Sequence, residues 1–159
     1  MFLIIFWRLH ILDIVVIYTD GGCRGNPGPG GWAYIIKFEE LEQSESGGNS
    51  ATTNNKMELT AVIRSLETVL KNPDLANKKI ELHTDSQYVK NGISSWINNW
   101  IRNGWKTAAK KPVKNKELWI ELKEVSDKLN IKWKWVKGHA GNPLNEACDQ
   151  MVGEEMSKL

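Results

Sequence analysis

The sequence predicts a mixed α/β fold, in which a central sheet is flanked by helices. Two observations support this prediction: β-branched runs typical of strands come first, and amphipathic helices then alternate with further strand-like runs. With 159 residues, 41% of them hydrophobic and 25% charged, the chain has the composition of a globular protein and can bury its own core. We expect one domain over residues 14–159, preceded by an N-terminal extension at residues 1–13.

Five segments have strand-like patterns. The run at residues 14–19 is almost entirely β-branched or aromatic, which is typical of a strand buried on both faces. The segment at residues 40–48 is polar and is the weakest of the five patterns. The predicted strands are Ile14–Thr19, Trp32–Phe38, Glu40–Gly48, Ile80–Thr84 and Ile131–Val136.

Four segments have helical patterns. The first, at residues 53–70, carries an apolar stripe at helical spacing and is followed by Pro73. The last opens with Asn142 and Pro143, which are residue types favoured at an N-cap and at the first helical position. The predicted helices are Thr53–Leu70, Ser86–Arg102, Lys116–Leu129 and one that begins after Asn142.

The glycine-rich stretch between the first two strands does not indicate a nucleotide site. Gly28–Ala33 formally matches GxGxxA, but that fingerprint requires a helix after its third position, and here a strand follows. The chain also lacks the GxxxxGK[ST] motif. The glycines could form a wide turn between antiparallel strands, allow the backbone to approach a ligand closely, or do both.

Two aspartates follow predicted strands in matching contexts. Asp20 comes after Tyr-Thr, and Asp85 comes after His-Thr. If the strands are parallel neighbours, both carboxylates emerge at the carboxyl edge of the sheet, where α/β proteins bind ligands. Facing carboxylates repel unless they share a proton or a cation, and oxygen donors without histidine or thiolate favour Mg²⁺ or Mn²⁺. Alternatively, each aspartate could cap the element that follows it.

Two more carboxylates lie beside apolar helix faces. Glu58 could form a capping pair with Asn55, or it could lean toward the sheet edge. Asp149 follows Cys148 on the last predicted helix, and acidic residues at such a rim are usually surface charges. Taken together with the two aspartates, however, they are consistent with a single cation site.

Basic residues are concentrated between residues 102 and 116, although the net charge of the whole chain is only +2. Such a cluster could be a solvated face or a surface for an acidic polymer. Trp96 and Trp100 are spaced i, i+4, which is typical of a packed helix face, yet they lead directly into this lysine-rich stretch.

The remaining features argue for an intracellular protein without a membrane anchor. Cys23 and Cys148 show no disulfide or zinc-site spacing, which suits a reducing cytoplasm. The N-terminal stretch MFLIIFWRLHIL is apolar but shorter than a membrane span, and it lacks the basic leader and cleavage site of a signal peptide.

Four segments resemble the signature segments of type 1 ribonuclease H, the bacterial ribonuclease HI family: YTDGGCRGNPGPGGWA, TTNNKMEL, TDSQYV and KGHAGNPLNEACD. They occur in the family's order, and the resemblance spans about Ile14 to Lys158. It implies a five-stranded mixed sheet, with three antiparallel strands followed by two parallel ones, flanked by helices. It also implies an endonuclease that hydrolyses the RNA strand of RNA–DNA hybrids and leaves 5′-phosphate and 3′-hydroxyl ends. We expect the chain to be a monomer.

The resemblance further assigns roles to individual residues. The metal-binding carboxylates would be Asp20, Glu58, Asp85 and Asp149, which would hold two Mg²⁺ ions, or Mn²⁺, when substrate is bound. His139, between Gly138 and Ala140, would be a mobile catalytic histidine that relays a proton or assists product release.

The resemblance also implies three sets of contacts with the hybrid. The first set reads the RNA minor groove, where the 2′-hydroxyl distinguishes RNA from DNA. The second contacts DNA-strand phosphates, and the third forms a basic protrusion. Within the protrusion, Ile101-Arg102-Asn103 carries less positive charge than is usual for the family, and this difference bears on the affinity for the hybrid. The minor-groove set is Cys23 (through its backbone), Asn26, Asn54 and Gln87. The phosphate set is Thr53 and Asn99. The protrusion set is Trp96, Trp100, Arg102, Trp105, Lys106 and Trp119.

Overall fold

The computed structural model describes residues 13–138 and 141–159. The predicted N-terminal extension, apart from Asp13, and the predicted catalytic residue His139 lie outside the described residues.

The sheet has five strands in the order β3-β2-β1-β4-β5. β1 pairs antiparallel with β2, and β2 pairs antiparallel with β3. β4 lies parallel to both β1 and β5. This confirms the predicted five-stranded mixed sheet, with three antiparallel strands followed by two parallel ones. The strands are β1 (Ile14–Cys23), β2 (Gly28–Phe38), β3 (Leu41–Thr52), β4 (Lys79–Thr84) and β5 (Asn130–Trp135).

β1 extends beyond its predicted end, so the prediction that Asp20 terminates the strand is wrong. Pairing with β4 ends at Tyr18, opposite His83, but pairing with β2 continues until Cys23 lies opposite Gly30. Backbone hydrogen bonds to β2 therefore hold Asp20 in an extended conformation. For the same reason, the glycines at residues 28–31 belong to β2, and the turn is limited to residues 24–27.

The helices start and end close to their predicted positions, with shifts that side-chain caps explain. The Thr53 hydroxyl accepts a hydrogen bond from the Lys56 amide at 3.3 Å, so Thr53 is the N-cap rather than the first helical residue. The predicted helix at 86–102 begins with Ser86 as its N-cap and contains a π-helical turn at Gly92–Trp96. The α-helices are α1 (Asn54–Lys71), α2 (Gln87–Asn91), α3 (Ile97–Arg102), α4 (Lys116–Ser126) and α5 (Pro143–Ser157).

Alternating residues of β1 point into two separate cores. Val15 and Ile17 are fully buried in the larger core, together with residues of α1 and α4. Tyr18 packs on the opposite face of the sheet with Cys148 and Val152 of α5. Each fully buried aliphatic side chain contributes roughly 1.5–3 kcal/mol to folding. β1 is therefore held by packing on both of its faces, which fixes the position of its C-terminal residues.

None of the helices in the described part of the chain combines the length and apolar character that crossing a bilayer requires.

Candidate active site

Three acidic side chains converge at the carboxyl edge of β1 and β4. Asp20 lies on β1, just beyond the last pair that β1 forms with β4, and Asp85 directly follows β4. Glu58 comes from the N-terminal part of α1. One carboxylate oxygen from each of the three residues lies within 4.8 Å of the other two.

Local structure excludes the capping alternatives for two of these residues. Ser86, rather than Asp85, caps α2, because its hydroxyl accepts a hydrogen bond from the Val89 amide at 3.1 Å. At α1, Thr53 provides the N-cap, so Glu58 is not half of a capping pair with Asn55. Neither carboxylate therefore serves as a helix cap.

Gly21 allows α1 to approach β1 closely enough to place Glu58 beside Asp20. A Cβ atom at this position would lie 2.4 Å from the Glu58 backbone nitrogen and 2.4 Å from the Met57 carbonyl carbon. Backbone atoms this close cannot move aside cheaply, so any side chain would push the helix away from the strand. The glycine that follows Asp20 thus sets the distance between two elements of the site.

The cluster is buried, and its charges repel one another. Asp20 is only 6% exposed and Glu58 only 9%. Burial, together with the negative charges of Asp85 and Asp149, raises the pKa of Asp20 from 3.8 to about 8. Burial, followed by the charges of Asp20 and Asp85, raises the pKa of Glu58 well above its ordinary value. At neutral pH the cluster therefore retains protons unless a cation compensates its charge.

The residues present fit a divalent cation. The Oε2 atom of Glu58 is buried and has no hydrogen-bond partner among the described residues, which is costly unless a cation or another polar group meets it. The donors in this cluster are all carboxylate oxygens, and hard oxygen donors are the ligands that Mg²⁺ and Mn²⁺ prefer.

Asp149 approaches the cluster from α5 and is more exposed than the other three carboxylates. Its side chain forms a hydrogen bond with Asp20, which contributes to the raised pKa of Asp20. α5 is attached to β1 near this point: the Asn142 side-chain amide donates to the Tyr18 hydroxyl at 3.1 Å, and the Cys148 thiol donates to the Tyr18 carbonyl at 3.5 Å. These two bonds fix the helix that carries Asp149.

Next to the cluster, the turn after β1 is connected to the start of α1. The Asn26 side-chain oxygen accepts a hydrogen bond from the Asn54 amide at 3.0 Å. The Cys23 thiol donates to the carbonyls of Gly28 and Thr52, each at 3.3 Å, so its side chain points into the protein. Gln87, the first residue of α2, is exposed.

A cavity of about 440 Å³ lies between this turn, α1 and the lysine-rich stretch. Some of the residues that line it were not predicted from the sequence as contacts with the hybrid. Lys56 and Lys114 bring two positive charges to its wall, next to the predicted phosphate contact Thr53. Lys56 lies within TTNNKMEL and Lys114 within the lysine-rich stretch, but only the fold brings the two segments together.

The predicted aromatic contacts form a connected row of rings. The ring centroids of Trp96 and Trp100 are 5.7 Å apart, and those of Trp100 and Trp105 are 6.3 Å apart. Trp96 is 36% exposed, whereas Trp119 is fully buried and donates a hydrogen bond to the Tyr88 hydroxyl at 2.9 Å. A side chain without exposed surface cannot touch a duplex, so the prediction that Trp119 contacts the hybrid is wrong. Its ring instead packs edge-on against the ring of Trp100.

The polar members of the protrusion lie on the surface beyond these rings. Arg102 and Asn99 are exposed, and the Arg102 guanidinium donates to the Asn99 side-chain oxygen at 2.9 Å. Lys106 begins a short loop that Pro112 closes through a β-bridge. The protrusion therefore presents cations beside an aromatic row, an arrangement suited to the sugars and phosphates of a nucleic acid.

Comparisons with known proteins agree with this geometry. The family model for RNase H matches residues 13–157. A ribonuclease H of Treponema denticola is 53% identical over 157 residues, covering 91% of this chain and 98% of that protein. A ribonuclease H of Rhodopseudomonas palustris strain BisB5 is 53% identical over 144 residues, covering 91% and 93% of the two chains.

Solved structures show the same fold. LC9-RNase H1, described as a type 1 RNase H with the type 2 active-site motif, superposes with a TM-score of 0.82 at 26% identity, covering 92% of this chain and 73% of that one. LC11-RNase H1, solved in complex with an RNA/DNA hybrid, superposes with a TM-score of 0.70 at 26% identity, covering 91% and 97%. The chain therefore belongs to the ribonuclease H family, and within it to the bacterial ribonuclease HI type.

Proposed function

We propose that this chain is an endonuclease that hydrolyses the RNA strand of RNA–DNA hybrids and leaves 5′-phosphate and 3′-hydroxyl ends. The observation that carries the proposal is the convergence of Asp20, Glu58 and Asp85 at the carboxyl edge of β1 and β4. The hybrid bound in the LC11-RNase H1 structure and the activity in the names of the curated relatives support it.

The four carboxylates would hold the divalent cations of this reaction. Asp20 lies within 4.8 Å of both Glu58 and Asp85, and the charge of Asp149 also acts on it, so it would be the carboxylate shared between the cations. Two divalent cations, when bound, supply charge that acidifies the attacking water and neutralises the leaving oxygen. We favour Mg²⁺, with Mn²⁺ as an alternative, because both ions accept this all-oxygen donor set.

The protein itself prepares the site for cation uptake. Two penalties oppose ionisation of the carboxylates. Burial removes the water that would otherwise solvate their charges, and the charged forms of Asp20 and its neighbours repel one another, so protons remain bound. Exchange of those protons for a cation relieves both penalties. In this proposal, His139 moves a proton or assists product release; its place in the KGHAG motif supports the assignment.

Recognition of the hybrid would extend from the turn after β1 to the protrusion. Asn26, Asn54, Gln87 and the backbone of Cys23 would contact the RNA strand. The Asn26–Asn54 hydrogen bond supports this assignment because it fixes two of these residues together.

Thr53 and Asn99 would contact phosphates of the DNA strand, and the protrusion would hold its sugars and phosphates. The cavity that joins Asn26 and Thr53 to Lys114 supports a continuous surface between the two regions. The members of the protrusion in this proposal are the exposed Trp96, Arg102 and Lys106 and the half-buried Trp100 and Trp105.

A nuclease assay on labelled hybrid, duplex DNA and duplex RNA tests this function directly. We expect the RNA strand of the hybrid alone to be cut, with Mg²⁺ and not with EDTA. Asp20→Asn should abolish cutting while preserving hybrid binding, and Asp74→Asn, which replaces an exposed aspartate at a distance from the cluster, should leave both unchanged.

Other outcomes would identify the alternative functions. Binding of hybrid without cutting by the unmodified chain would indicate a silent binding module, and cutting of duplex DNA would indicate a related nuclease of different specificity. Cutting retained by Asp20→Asn would refute the role of the carboxylate cluster.

We also propose that residues 14–159 act as a single monomeric domain in a reducing cytoplasm. The two cysteines are free, and Cys148 is buried, which supports a compartment where thiols persist. Light scattering of the purified chain in the presence of a reducing agent tests the monomer, and a dimeric mass would contradict it.

A further inference from the structure

The chain that leaves β5 runs directly alongside Asp85. The Val136 amide donates to the Thr84 carbonyl at 2.9 Å, which continues the parallel pairing of β5 with β4 beyond the last pair of the ladder, Thr84 with Trp135. This hydrogen bond carries the following residues past the end of β4. Gly138 consequently lies next to Asp85.

The contact between Gly138 and Asp85 leaves little space for a side chain. A Cβ atom on Gly138 would lie 3.0 Å from Oδ2 of Asp85, and its three nearest atoms, at 3.0, 3.7 and 3.8 Å, all belong to Asp85. A methyl group at 3.0 Å is tighter than ordinary van der Waals contact, so the carboxylate would have to shift.

Backbone conformation does not explain the glycine at this position. The glycines with a positive φ in the described residues are Gly25, Gly104 and Gly141, and Gly138 is not among them. An alanine could adopt the backbone conformation of Gly138 without the left-handed penalty. The contact with Asp85 is thus the feature that a side chain would disturb.

We propose that Gly138 is a positioning residue for Asp85: because it lacks a side chain, the segment after β5 can lie against the carboxylate and hold its oxygen where the cluster binds a divalent cation. This inference rests on the proposed function. It adds that the chain immediately before His139 also sets the cation affinity of the site.

Titration with Mn²⁺ by isothermal calorimetry tests the inference. Gly138→Ala should raise the dissociation constant about tenfold, the low end of the effect usual for residues that orient metal ligands. Gly138→Val, with a larger side chain, should raise it further. Hybrid binding in EDTA and the unfolding temperature in EDTA should stay close to those of the unmodified protein, because neither depends on the exact position of one carboxylate oxygen.

Gly153→Ala is the matched control. Gly153 lies in α5, and a Cβ atom there would meet no described atom within 4 Å. This variant makes the same chemical change without the contact, so its Mn²⁺ affinity should equal that of the unmodified chain.

A second measurement does not depend on cation binding. The carboxyl ¹³C resonance of Asp85, assigned by its loss in Asp85→Asn, should move in metal-free Gly138→Ala and stay in place in Gly153→Ala. An unmoved resonance together with unchanged Mn²⁺ affinity would overturn the inference and leave the proposed function intact. If the unmodified chain bound no Mn²⁺, the proposed function would fail, and the resonance would still decide whether Gly138 positions Asp85.

Discussion

The protonation of Asp20 makes the stability of the metal-free protein depend on pH in an unusual direction. A carboxyl group whose pKa is raised on folding binds more protons in the folded state than in the unfolded state. For Asp20, with a pKa of about 8 against an ordinary 3.8, this excess applies between roughly pH 4 and pH 8. Its contribution to stability is therefore greatest below pH 4 and is lost as the pH rises through that window.

The size of the effect follows from the width of the window. Each pH unit in which the folded state holds one extra proton changes the free energy of unfolding by about 1.4 kcal/mol. Between pH 4 and pH 7, Asp20 should therefore cost the metal-free protein about 4 kcal/mol. Asp20→Asn removes this titration and also removes a negative charge next to Glu58, whose pKa the same repulsion raises.

Chemical denaturation in EDTA, followed by circular dichroism at several pH values, measures the effect. We expect Asp20→Asn to match the unmodified chain at pH 4 and to exceed it at pH 7 by up to about 4 kcal/mol. The difference between the two proteins reports the titration of Asp20 together with its effect on Glu58, and Asp74→Asn is the control. Parallel pH profiles for the unmodified chain and Asp20→Asn would refute the reasoning.

The remaining predictions concern the turns, the helix contact and the protrusion. Glu39, in the two-residue turn between β2 and β3, has a φ of 52°, so Glu39→Gly should raise the free energy of unfolding by about 0.5–1 kcal/mol in denaturant titrations. Gly21→Ala should lower it by about 3 kcal/mol or more, because the methyl group meets the backbone of α1. Trp119→Ala should cost about 3–5 kcal/mol of stability, whereas Trp96→Ala should mainly weaken hybrid binding, as electrophoretic mobility shifts would show. Lys114→Ala should lower hybrid affinity. In a plot of the logarithm of the affinity against the logarithm of the salt concentration, the slope should become less steep by about 1; an unchanged slope would exclude a phosphate contact.

Much of the fold could be predicted because its signals are local. Asn142 caps α5 through its side-chain oxygen, and Pro143 occupies the first helical position, both as their residue types indicate. The existence of each strand was also predictable, including the polar β3, which lies at the edge of the sheet and is mostly exposed. The exact ends were less predictable, since the Thr53 cap and the helix end at Ser126 depend on hydrogen bonds that several residue types can form.

The acidic members of the candidate site were predictable, but their physical state was much less so. The motifs named Asp20 and Asp85, but they did not indicate that Asp20 lies inside a strand or that its pKa rises. Both properties depend on segments distant in the chain: β2 pairs with Asp20, while α1 and α5 bury it. Trp119 likewise matched a contact motif, and only the packing of α4 against α1, with the Trp119 ring against those of Tyr88 and Trp100, makes it a core residue.

The sequence by itself determined the strand and helix types, the cap at Asn142 and the set of acidic residues, because those features depend on side chains and their near neighbours. Only the tertiary structure decided the sheet register, the burial of the carboxylates, the row of tryptophans and the contact of Gly138 with Asp85. The physical reason is that burial, electrostatic repulsion and close packing depend on distances in space, and the fold sets those distances between residues far apart in the chain.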